Sequence, residues 1–134
     1  MEYPSAAETL AGARAFEHNP KEVAFVRREL IRRREHSPYH LIEFGKAFAK
    51  RFLPMPTRIV YAEGARDLYS FSHRRVQLGT QEITRLLHEL GHAKYGRDEH
   101  IAVFYSVGLI MKALPGFVPD LTGHVLNNDP YPRP

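Results

Sequence analysis

The sequence predicts an α+β fold: a small antiparallel sheet packed on one amphipathic helix and on a buried helix that follows it, with extra helices in front. Three observations carry that prediction. Ile83, Leu86, Leu87 and Leu90 recur at i, i+3, i+4 and i+7, which lays one apolar stripe along a helix. Residues 57–78 hold short runs of β-branched and aromatic residues broken by turn residues. Residues 101–114 are apolar nearly all round, the pattern of a helix enclosed by protein.

With 134 residues the chain is expected to form one domain, large enough for a core without staples. It divides into a helical part (1–53), a sheet with two further helices (57–114) and an irregular tail (115–134). There is no cysteine, which excludes disulfides, a zinc ribbon and a thiol nucleophile. The net charge of +4 mildly favours acidic partners and does not by itself imply nucleic acid. The longest apolar stretch, 101–111, is too short for a bilayer span, so no membrane association is expected. The first ten residues lack the basic start and apolar run of a signal peptide, and a cytoplasmic protein is expected.

Taken in order, Ser5-Ala6-Ala7-Glu8 matches a capping box and opens a helix to about Glu17. Asn19-Pro20 starts a second helix reaching about Glu35, with Val23, Val26, Leu30 and Ile31 inward. Its other face carries Arg27, Arg28, Arg32, Arg33 and Arg34, either a solvated face or a contact for a phosphate backbone. Ser37-Pro38 repeats the device, and Leu41, Phe44, Ala47 and Phe48 follow helical spacing until Pro54 and Pro56. His18, His36 and His40 read as surface or capping residues. Residues 57–62 form a strand, 63–67 a turn, and 68–72 with 75–78 a hairpin about His73-Arg74. Thr80 is the expected N-cap of the next helix. An edge of this sheet could take an extended peptide by strand addition.

That next helix contains H-E-x-x-H. His88 and His92 lie one turn apart and about 40° apart on one face, opposite the leucine stripe, so both imidazoles can reach one metal ion. Glu89 stands beside them, placed to accept a proton from water at the metal. A catalytic zinc site needs a third protein ligand and an open fourth position. Gly96 suits a left-handed C-cap and Asp98 an N-cap, so the chain reverses there. His100 is then the favoured third ligand, Glu99 its rival and Asp98 a weaker one. Phe104, one turn on, would anchor that ligand in the core. Tyr105, Tyr95, His73 and His124 are candidates for stabilising an oxyanion.

The run Leu87-His88-Glu89-Leu90-Gly91-His92-Ala93, then Gly96, then His100-Ile101-Ala102-Val103-Phe104, resembles the zinc-site region of the SprT/Spartan and WLM-domain metallopeptidases. In that pattern H-E-x-x-H is followed by a short connection and H-x-x-x-F on the next helix. The likeness covers roughly residues 68–111. It implies a minimal zincin fold, one Zn2+ per chain held by His88, His92 and His100, and Glu89 as general base. It also implies protein or peptide substrates, including DNA-associated proteins. The ImmA/IrrE-like peptidases are similar in the H-E-L-G-H core but usually supply an acidic third ligand. Zinc-dependent peptide hydrolysis is the expected function. The rivals are a non-catalytic module, its metal closed off by a fourth ligand such as Glu99 or His124, and a basic DNA-binding adaptor.

Overall fold

The computed structural model describes residues 3–32 and 38–130. Among them five helices and two small sheets follow one another as α1 (Ala6–Ala15), α2 (Pro20–Arg32), α3 (Pro38–Phe52), β1 (Arg58–Tyr61), β2 (Leu68–Ser70), β3 (Arg75–Leu78), α4 (Ile83–Tyr95), α5 (Glu99–Ala113), β4 (Leu121–Thr122) and β5 (Val125–Leu126). The class is α+β, as expected.

The capping box at α1 forms in both directions: Ser5 Oγ accepts from Glu8 N–H, and Glu8 Oε1 accepts from Ser5 N–H. The helix stops at Ala15, two residues before the expected end. Asn19 begins α2 with its side chain accepting from Lys21 N–H at 2.9 Å. The inward face of α2 differs from the expectation. Ile31 is 60% exposed, while the charged Glu22 is fully buried beside Val26 and Leu30. The expected end of α2 at Glu35 and the Ser37 cap lie outside the described residues. In α3, Ala47 faces solvent, and Gly45 and Ala49 join Leu41, Phe44 and Phe48 inside.

The three-stranded sheet has the order β1-β3-β2 and is mixed, which corrects the antiparallel expectation. β2 and β3 form the expected antiparallel hairpin, Leu68 opposite Gln77 and Ser70 opposite Arg75. β3 then enters between β2 and β1 and runs parallel to β1, Arg58 beside Arg75 and Tyr61 beside Leu78. The central place goes to the strand with two side chains wholly removed from water, Val76 and Leu78. β2 is left as an edge.

Thr80 does not cap α4. Its hydroxyl donates to Asp67, which also accepts from Gly79 N–H at 2.7 Å, and Glu82 occupies the cap position without a side-chain bond. On α4, Leu86, Leu87 and Leu90 are completely buried and join the main core with Phe44, Phe48, Ile59 and Leu78. α5 packs against α4, α1 and α2 together, which is why its sequence is apolar on every side. Gly12 lets α1 come close: a Cβ there would stand 2.4 Å from the Phe104 ring. The tail is less irregular than expected, since β4 and β5 pair as a hairpin turning at Gly123 (φ 59°). Thr9 Oγ1 donates to the Gly123 carbonyl and ties that hairpin to α1. Among the described residues no helix is long and apolar enough to cross a membrane.

Candidate metal centre

The buried leucine stripe on α4 forces the opposite side of the helix toward an open cleft of about 490 Å³. His88, Glu89 and His92 line it, as do Glu99 and His124. The His88 and His92 rings sit 4.9 Å apart between centroids, nearly perpendicular.

Two local devices bring the third group to them. Gly96 ends α4 at φ 101° and ψ −155°, a conformation nearly confined to glycine, and its N–H returns to the His92 carbonyl at 2.9 Å. Asp98 then caps α5 as expected, its carboxylate accepting from His100 N–H at 2.8 Å and Ile101 N–H at 3.3 Å. The reversal points Glu99 back over α4. Glu99 Oε1 lies 2.8 Å from His92 Nε2, and Oε2 lies 3.1 Å from His88 Nε2.

His100 is therefore not the residue brought to the pair. One residue on, its side chain leaves α5 about 100° further round. It lies edge-on to Phe104, 5.8 Å between centroids, toward the α1 side of the helix. Phe104 fixes α1 to α5 through Gly12 and does not anchor a ligand. Asp98 is occupied as the cap.

His88, His92 and Glu99 each offer one ligand atom within 4.8 Å of the others, so the group could hold a metal ion. Its chemistry fits one. Nitrogen and carboxylate donors suit borderline divalent cations. His92 Nδ1 is 2.8 Å from the Gly96 carbonyl, which can only accept, so Nδ1 donates there and Nε2 is the ring atom that faces the cleft. Burial, reinforced by the nearby His92, pushes the His88 pKa down to about 4 and keeps that imidazole neutral. Burial likewise lifts Glu89 to about 7; His92 opposes the rise, and the Glu99 and Asp67 carboxylates add to it.

The candidate oxyanion stabilisers divide. His124 lines the cleft and stacks on Tyr3, 3.8 Å between centroids and 11° between planes. Tyr105 is 1% exposed, with its hydroxyl donating to Glu22 inside the core. Tyr95 packs edge-on against Phe16 and Tyr105 and is not part of the cleft. His73 sits in the turn between β2 and β3, bonded to Ser70 and Ser72, and does not line the cleft.

Sequence reasoning missed Tyr3, which faces the Glu99 carboxylate and is raised in pKa by burial and then by that charge. A lone aromatic ahead of the first helix offers no periodic signal. It also missed Glu22, whose carboxylate pairs with Lys94 of α4. His18, read as a surface or capping residue, is half-buried, its ring nitrogens beside the Tyr105 carbonyl and the Lys112 ammonium. The arginine face of α2 also has structural work: Arg27 donates to the last carbonyls of α5, at Ala113 and Lys112. Arg33 and Arg34 lie outside the described residues. Comparison with known proteins finds nothing similar: no protein family, no curated protein and no solved structure matches the chain.

Proposed function

We propose that the chain is a zinc-dependent peptidase of minimal zincin type, with His88, His92 and Glu99 as the ligands and Glu89 as the general base. The observation that carries this reading is the convergence of three ligand atoms on one cleft wall with a buried carboxylate, Glu89, beside them. An acidic third ligand favours the ImmA/IrrE-like resemblance over the SprT/WLM one.

Bound zinc would polarise a substrate carbonyl and bring the pKa of water toward neutrality. Glu89 would take the proton of the attacking water and give it to the leaving amine. Its burial beside the ligand group places it for both transfers. The Gly96 carbonyl would hold His92 in its tautomer. His124, on the cleft wall, is placed to donate to the oxyanion. An extended peptide would be received along the free edge of β2.

The non-catalytic reading requires a closed ligand set. Among the described residues the group has three members, and neither His100 nor His124 completes it. Glu89→Gln separates the two readings. The variant should keep about one zinc per chain by elemental analysis and lose about 10²–10⁴-fold in peptide hydrolysis. Wild-type activity in that variant rules the mechanism out.

A further inference from the structure

We infer that the cleft selects an extended peptide carrying acidic side chains on both sides of the bond presented to Glu89, read by Arg66 and Arg97 at opposite ends of the β2 edge. This rests on the peptidase reading and adds the substrate class to it.

Consecutive residues Arg66, Asp67, Leu68 and Tyr69 all line the cleft. Side chains alternate faces along a strand, so a run of neighbours fronting one space means the strand meets it edge-on. β2 is bonded to β3 on one side, and no strand covers its other side among the described residues. Its main chain is thus open to a ligand that is itself extended.

The two cations bracket that edge. Arg66 comes two residues before β2. Phe71 follows β2 directly, and the Arg97 guanidinium lies 4.3 Å from its ring centroid, which holds the charge at the rim. Five residue steps at about 3.3 Å put the two ends at most roughly 17 Å apart, within the reach of five extended ligand residues.

The carboxylates of the cleft are engaged elsewhere. Glu99 faces the two histidines, Glu89 is buried beside them, and Asp67 accepts from Gly79 and Thr80. Arg85, the third cleft arginine, pairs with Glu82 at 3.4 Å. Arg66 and Arg97 are exposed and pair with no carboxylate among the described residues. A nucleic acid could satisfy these charges but not the β2 main chain, so a peptide fits the site better.

The test uses the zinc-loaded, full-length Glu89→Gln protein and a fluorescein-labelled peptide with two glutamates about five residues apart. Fluorescence anisotropy should show binding about fivefold weaker for each glutamate changed to glutamine, with the difference fading at high salt. Arg66→Ala and Arg97→Ala should each abolish the preference at one position, and Arg66→Glu should turn it toward lysine. Equal binding of the glutamate and glutamine peptides overturns the inference. So does a single-stranded oligonucleotide that binds more tightly than the acidic peptide through the same two arginines. Acid preference without hydrolysis by the wild type supports the inference and sinks the peptidase reading. Hydrolysis without acid preference does the reverse.

Discussion

Glu99 and His100 are neighbours whose side chains leave α5 about 100° apart, and that angle decides which of them meets α4. The sequence reading favoured the histidine because a third imidazole matches one familiar spacing. The Asp98 cap and the Gly96 stop form as expected, but Gly96 is not left-handed helical; the phase of α5 relative to α4 depends on its φ of 101° and ψ of −155°, which letters do not state. The expected outcome is asymmetric. Glu99→Ala should lose most of its zinc, falling beyond the roughly 10–100-fold that outer partners contribute, while His100→Ala keeps about one zinc per chain. Competition with a chromogenic chelator measures both. Retained affinity in Glu99→Ala together with loss in His100→Ala would return the site to three histidines. His88, Glu89 and His92 were legible because a five-residue motif on one helix needs only helical geometry. Tyr3 and the two rim arginines were not, because what places them is tertiary contact.

At the scale of elements, capping signals located α1, α2 and α5 but failed at α4, where Asp67 holds Thr80, and hydrophobic period located strands. Neither reveals the order of strands in a sheet, so the parallel β1–β3 pairing could not be read from runs that look alike in either direction. The register of α4 against its neighbours has a further determinant in the buried Glu22 carboxylate, which accepts from Lys94 of α4 and from Tyr105 of α5. Three helices meet at one carboxylate, and the reading of α2 as a purely apolar inner face missed it. Removing the cation leaves a buried charge without its partner, so Lys94→Met should cost about 3–5 kcal/mol in urea unfolding. Tyr105→Phe removes one hydrogen bond to a charged group and should cost less, about 1.5–3 kcal/mol. Comparable stability of Lys94→Met and the wild type would mean that the Glu22–Lys94 pair adds nothing to the fold.

For the whole molecule, the ligand group joins residues close in sequence: His88 and Glu99 are 11 positions apart. The leucines of α4 join a core built with α2, α3, the central sheet and the later turns of α5, none of which supplies a ligand. A metal held by that group would therefore act on the corner between α4 and α5 rather than on the union of distant parts. In hydrogen–deuterium exchange the chain should behave as two cooperative units. At a free zinc concentration about 100 times its dissociation constant, local openings of that corner should become rarer by about 100-fold. Amides of residues 92–102 should slow by that factor, while those of α3 and β1 keep their rates. Uniform slowing would mean that the corner opens only when everything does. With two units, a drop in available zinc would release the corner first, and the proposed peptidase would pass through a state that is folded, metal-free and ready to reload.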